Sequence, residues 1–186
     1  MDKRPLAVAV TGGIAAGKSE ALAAFARHGA ATLSADAIVH DLLANDQEVR
    51  DAIAERWGDG APDDRAKIAE IVFNDREELD WLERLLHPKT RAAGDAWLRN
   101  VSVPVAVVEV PLLYETGGEQ RFDVVVVITA PDDVRARRRA GIAGREQRLL
   151  PDAEKVDRAD FSFVNDGSLD ALDAFVVHVL EALCSS

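Results

Sequence analysis

The sequence predicts an α/β fold, a parallel sheet covered by helices on both faces. Short apolar, β-branched runs recur at Leu6–Thr11, Val103–Val110 and Asp123–Thr129, the pattern of strands buried on both faces. Helical patterns lie between them, and strands that alternate with helices pair in parallel through crossovers. The first run leads through a Gly-rich turn into a helix, the order that builds ligand sites at the C-terminal ends of parallel strands.

In chain order, the turn after Leu6–Thr11 opens a helix from Lys18 to Arg27, which Gly29 ends. Ala31–Ser34 is a weaker strand, expected beside the first, with Asp36 just past it. From Asp36 to Asn100 the pattern is helical, with one break at Gly58–Asp64 around Pro62, and a new helix at His87–Pro88, because Pro is favoured in a first turn. Pro104 interrupts the start of the next strand. Pro111–Gly118 is a loop or short helix, Asp132–Arg139 an Arg-rich helix and Phe161–Asn165 a last strand. Ser168 caps a final helix that carries Leu169, Leu172, Phe175, Val176, Val179 and Leu183 on one face. This organisation predicts a single domain over residues 1–186. Within it, residues 1–34 and 101–186 form a core, 36–100 a helical insert over the C-terminal edge of the sheet, and about 137–150 a lid.

The 186 residues include 33 acidic and 22 basic side chains, a formal net charge of −11. That balance disfavours sequence-independent binding to nucleic acid or to an anionic membrane. A polyanionic ligand must therefore be held locally. The one cysteine, Cys184, permits no disulfide framework within the chain, which fits a reducing cytoplasm. No secretory leader is read at the N-terminus, and the longest apolar runs are too short to span a bilayer.

Gly12-Gly13-Ile14-Ala15-Ala16-Gly17-Lys18-Ser19 fits the phosphate-binding pattern G-x-x-x-x-G-K-[ST] between a strand and a helix. Glycines let consecutive backbone N–H groups turn towards phosphate oxygens, and the following helix adds its positive end. Lys18 supplies charge for the β- and γ-phosphates of a nucleoside triphosphate, and the Ser19 hydroxyl a ligand for Mg²⁺. Glu20 continues the nucleotide-binding segment.

Two classes use such a loop, phosphotransferases and nucleotide-hydrolysing switches. The chain carries neither the N-K-x-D nor the D-x-x-G segment of a GTPase switch. It does carry candidates for each part of a small-molecule kinase. Asp36 is the candidate base, expected to face the γ-phosphate; it is also well suited to cap the helix Ala37–Leu43, and both roles stay open. Arg135, Arg137, Arg138, Arg139, Arg145 and Arg148 crowd one segment of an acidic chain, and Gly141 and Gly144 suit a closing lid. Arg138 and Arg145 are the catalytic candidates among them. Glu109 ends an apolar strand, where a carboxylate could reach Mg²⁺ directly or through water.

These segments together resemble the dephospho-CoA kinase family, a family of P-loop NTPase fold with three α/β/α layers. Val10–Ser19 is similar to its T-G-G-I-G-S-G-K-[ST], and Ser34-Ala-Asp36 to its D-A-D. Asp64-Arg65 with Ile71-Val-Phe73 resembles its D-R…I-V-F, and Leu86-His87-Pro88 its helix-opening H-P. Val108–Glu115 resembles its D-V-P-L-L-F-E. Lys155, Arg158-Ala-Asp160 and Val164-Asn165-Asp-Gly167 resemble its K…R-A-D…I-x-N-x-G. The resemblance implies transfer of the ATP γ-phosphoryl group to the ribose 3′-hydroxyl of dephospho-CoA, giving CoA, with Mg²⁺ as cofactor. It implies that Asp36 is the catalytic carboxylate and that Asn165 lies near adenine. It also implies that Arg65, His87 and Arg91 line the acceptor side, though His87 could equally cap its helix. The alternatives are another small-molecule kinase, acting on a nucleoside monophosphate or shikimate, and a nucleotide-dependent regulatory module. Oligomeric state is not legible.

Three departures from the family pattern stand out. Ser34 replaces the first Asp of D-A-D. Ala15-Ala16 replaces Gly-Ser, which asks the backbone to avoid positive φ there. The lid around Ala140–Gly144 is short, with Leu149 where Gln is expected.

Overall fold

The structure is a computed structural model and describes residues 4–138 and 150–185. The chain divides into two compact units, residues 1–34 with 100–186, and residues 35–99.

The first unit is built on five parallel strands: β1 (Leu6–Gly12), β2 (Ala31–Ser34), β3 (Val105–Glu109), β4 (Val124–Thr129) and β5 (Phe161–Val164). Their order is β2-β3-β1-β4-β5. The sheet order corrects the expectation that β2 lies beside β1, since β3 pairs with both. Every residue of β3 is buried, which suits a central strand, whereas β2 is half-buried throughout and takes an edge.

Alternate residues of the central strands face two different cores, as the period of a strand requires. On one face Val8, Val10, Val107, Val126 and Ile128 pack against Ala21, Ala24 and Phe25 of α1 (Lys18–Arg27) and against Leu172, Val176 and Val179 of the last helix, α8 (Leu169–Cys184). On the other, Ala9, Val125 and Val127 pack against Leu113 and Tyr114 of the loop after β3 and against Val156. The Ser168 hydroxyl accepts from the Ala171 N–H at 3.2 Å and caps α8 as expected. Leu169 departs from the expected apolar face and is exposed, because it sits in the first turn, ahead of the packed stretch.

The second unit is helical: α2 (Ala35–Asn45), α3 (Gln47–Trp57), α4 (Arg65–Asn74) and α5 (Arg76–Asn100, which reaches the next unit). The chain breaks at three places, not one. Besides Gly58–Asp64, it turns at Asp46 and at Asp75. Each following helix has an aspartate at its start: Asp46 accepts from the Val49 N–H, Asp64 from Lys67, and Asp75 from Glu77. Those bonds satisfy orphan N–H groups that open helix starts leave behind. Val49, Ile53, Ala61, Ile68, Leu82 and Leu86 form this unit's own core. Trp57 and Trp81 meet edge to face with centroids 5.0 Å apart, and Trp57 donates to Glu78.

His87–Pro88 does not start a helix. Pro88 lies inside the 25-residue α5. Proline forfeits one backbone bond there, and the helix continues because Leu82, Leu86 and Gly94 are buried on either side of it.

Two further helices flank the undescribed stretch 139–149. They are α6 (Asp132–Arg138) and α7 (Asp152–Asp157), the second of which the sequence pattern did not suggest. No helix among the described residues is long and apolar enough to cross a membrane.

Candidate active site

The strand β1 delivers the chain into the phosphate loop through residues that only glycine suits. A Cβ on Gly12, at φ 143°, would lie 1.9 Å from the Ile128 carbonyl oxygen of β4. One on Gly17, at φ 99°, would lie 2.2 Å from Asn165 Nδ2. Both glycines thus serve a positive φ and a close approach at once.

Ala15 overturns the expectation that alanine there would avoid positive φ: its φ is 59°. The left-handed region costs a residue with a Cβ about 1 kcal/mol or more. The surroundings fix it there. Arg138 donates to the Ala15 and Ala16 carbonyl oxygens at 3.2 and 3.4 Å, and Asn165 Nδ2 donates to Ala16 O at 2.9 Å. With those carbonyls held from outside, the loop keeps its curl without a glycine at that position. Asn165 is buried; its Oδ1 accepts from the Gly167 N–H at 3.1 Å and from Arg138 at 3.5 Å. Ile14 is half-buried at the loop's crest.

Lys18 Nζ donates to the Gly13 carbonyl at 2.9 Å, folded back along the loop. The Ser19 hydroxyl donates to the Glu109 carboxylate, 3.3 Å from Oε2 and 3.4 Å from Oε1. Glu109 is buried at the end of β3, opposite Val10 of β1 and Ser34 of β2. A hydroxyl and a carboxylate converging at the end of the phosphate loop are the hard oxygen donors that Mg²⁺ takes. The residues present fit that ion. Glu20 turns elsewhere, pairing with Arg27 along α1 at 3.2 Å.

Outside the loop, Arg135 is held between Asp132 at 2.6 Å and Asp152 at 3.2 Å, and its guanidinium packs over Gly13. Arg137 pairs with Asp133 on an exposed face. Arg139, Arg145, Arg148, Leu149 and most of the expected lid lie outside the described residues. Just past them, Glu115 accepts from the Leu150 N–H at 3.0 Å and forms an ion pair at 2.8 Å with Lys155, which is fully buried. Arg158 lies over the Tyr114 ring and pairs with Glu119. Neither Asp152 nor Lys155 was singled out for these contacts. The nearest signal was Lys155 in its family-like segment.

The remaining candidates belong to the second unit. Asp36 is exposed and lies within the first turn of α2, which begins one residue earlier, so it is not the N-cap residue. Arg65 opens α4 and is exposed. His87 is half-buried and Arg91 exposed, one turn apart on the same side of α5, and His87, being interior to that helix, does not cap it.

The dephospho-CoA kinase family model matches residues 6–171, nearly the whole chain. The chain belongs to the dephospho-CoA kinase family. A dephospho-CoA kinase from Rhodopseudomonas palustris is 36% identical over 193 aligned positions, covering 95% of each chain. One from Thermus thermophilus is 32% identical over 97% of this chain and 93% of the relative. Among solved structures, one from Thermus thermophilus superposes with a TM-score of 0.82 at 32% identity, covering 97% of this chain and 99% of that one. A dephospho-CoA kinase from Campylobacter jejuni gives 0.65 at 26%, covering 97% and 98%. Shikimate kinase from Bacteroides thetaiotaomicron, 17% identical with a TM-score of 0.51, shares the fold. Family membership and this likeness together identify the sheet as that of a P-loop kinase with α/β/α layers.

Proposed function

We infer that the protein is a dephospho-CoA kinase, passing the γ-phosphoryl group of ATP to the ribose 3′-hydroxyl of dephospho-CoA and releasing ADP and CoA. The observation that carries this reading is a complete phosphate loop, with Ser19 bonded to a buried Glu109, in a member of this family. Gly12–Ser19 cradles the triphosphate and Lys18 neutralises the β- and γ-phosphates; Ser19 with Glu109 would hold Mg²⁺, which would supply positive charge to the phosphates. Asp36 accepts the proton of the 3′-hydroxyl as its oxygen attacks phosphorus. Arg138 and Arg145 are the arginines assigned to the developing charge. Asn165 borders the adenine. Arg65, His87 and Arg91, on the helical insert of residues 36–100, bind the acceptor.

A cytoplasmic enzyme without nucleic acid or membrane partners fits a chain of net charge −11 with one cysteine. The test is ADP release with dephospho-CoA, AMP and shikimate offered in turn, the product identified by mass. Dephospho-CoA should stimulate ADP formation and gain one phosphoryl group at the 3′ position. A stronger response to AMP or shikimate would move the chain to another small-molecule kinase. Release that ignores every acceptor would make it a nucleotide-hydrolysing regulator. Lys18→Ala should lower turnover by about 10²–10³-fold without lowering the melting temperature.

A further inference from the structure

His40 and Arg65 make an unusual contact in the second unit. Arg65, the first residue of α4, donates through NH1 to His40 Nδ1 at 2.5 Å and through NH2 to the His40 carbonyl at 3.1 Å. A guanidinium can only donate, so the nearer ring nitrogen, Nδ1, is taken by its short contact as the acceptor, which leaves the N–H on Nε2; NH1 also lies 3.4 Å from Nε2. Both side chains are exposed. Among the described residues no carboxylate pairs with Arg65. Its neighbour Asp64 is spent on the helix cap, accepting from the Lys67 N–H. In a chain with an excess of acidic groups, a guanidinium that settles on an imidazole keeps its charge for something else. It retains several outward N–H groups, and His40 Nε2–H adds another.

Position gives this pair a direction. His40 lies four residues after Asp36 on the continuous helix α2. Residues at that spacing are neighbours on one helix face, about one turn or 5.4 Å along the axis. The carboxylate proposed as base, the imidazole and the guanidinium bound to it therefore form one stripe. In dephospho-CoA the 3′-hydroxyl and the 5′-diphosphate hang from the same ribose, so a group that binds the diphosphate must sit a short way from the base.

We propose that Arg65 and His40 form the subsite for the 5′-diphosphate of the acceptor, with Arg65 supplying the charge and His40 both aiming it and donating from Nε2. This makes His40 a specificity-determining residue for acceptors that carry a diphosphate on the reacting ribose. The proposal rests on the dephospho-CoA reading above.

The experiment is steady-state kinetics of Arg65→Gln, Arg65→Lys and His40→Gln, with melting temperatures. Loss of a charge-assisted contact should raise the KM for dephospho-CoA about 10- to 100-fold in Arg65→Gln, and less in His40→Gln, whose amide still accepts and donates but from a flexible side chain in place of the rigid ring. Arg65→Lys keeps the charge without the fork and should fall between parent and Arg65→Gln. The kcat and the KM for ATP should stay within about twofold, since only ground-state acceptor binding is removed. The parent KM for dephospho-CoA should rise with ionic strength, and Arg65→Gln should flatten that slope. A purely structural bridge between α2 and α4 would not set a salt slope. An unchanged KM for dephospho-CoA, a KM for ATP that rises in step with it, or an unaltered salt slope would each overturn the proposal. Failure of the underlying reading is distinct, since the parent itself would then show no response to dephospho-CoA.

Discussion

The Ser19 hydroxyl reaches the Glu109 carboxylate across 3.3 Å, joining the first turn of α1 to the end of β3. Backbone pairing sets this contact up, because Glu109 lies in register with Val10 of β1, just before the loop begins.

Glu109→Gln should therefore act through the metal. The amide keeps the shape but withdraws the negative charge that helps hold a divalent ion. Apparent Mg²⁺ affinity should fall about 10- to 100-fold, the usual loss when a residue directly or indirectly supporting a metal is changed. Turnover measured across a Mg²⁺ titration should recover towards the parent value at high metal. A variant whose deficit ignores Mg²⁺ would remove Glu109 from the metal site.

Asn165 is expected to show an asymmetry between two substitutions. Its Nδ2 donates to Ala16 O while its Oδ1 accepts from Gly167 N–H. Asn165→Asp keeps the acceptor but turns a carboxylate oxygen towards the Ala16 carbonyl. Asn165→Ala removes both bonds, leaving buried partners unsatisfied at about 1–3 kcal/mol. Both should raise the KM for ATP, because both loosen the loop. If the KM for ATP is unchanged in both, Asn165 staples the fold and nothing more.

Much of the nucleotide unit was legible because its signals are local. Buried strands are short apolar runs, and the phosphate loop names its own residues. The sheet order was not legible, because β2 and β3 compete for the place beside β1, and only burial of the whole of β3 decides it. The helical unit was read less well. Asp46, Asp64 and Asp75 are ordinary acidic residues until their side chains are seen on N–H groups. Pro88 misled for the opposite reason, as packing of α5 on both sides outweighed a local preference. The Arg65–His40 contact joins residues 25 positions apart, and no spacing rule within one helix announces it.

Ala15 offers a test of backbone strain. Ala15→Gly relieves the cost of φ 59° but adds freedom to the unfolded chain, about 0.4–1 kcal/mol in the other direction. The two nearly cancel, so stability should change little and kcat should hold. Ala15→Val, β-branched where φ is positive, should lose about 1–3 kcal/mol and weaken ATP binding. Paired denaturant melts with an ATP titration check both. Equal stability of the Val and Gly variants would mean that the loop adjusts to avoid the strained conformation.

Asp36 carries the sharpest prediction. The residue sits inside the first turn of α2 and is not its cap, so its structural contribution is confined to the favourable field of a carboxylate at a helix start, which Asn reduces only modestly. Asp36→Asn should accordingly melt close to the parent and bind ATP about as well. Chemistry is where the variants should part. The amide cannot accept the 3′-hydroxyl proton, and general-base losses are typically about 10²–10⁴-fold. Measured with saturating substrates, kcat should fall in that range while the KM for dephospho-CoA moves little, because the missing interaction belongs to the transition state. Asp36→Glu should recover only part of the rate, since the added methylene misplaces the carboxylate. A fully active Asp36→Asn enzyme would assign Asp36 to the helix alone, and Glu109 would then be the carboxylate to test as base.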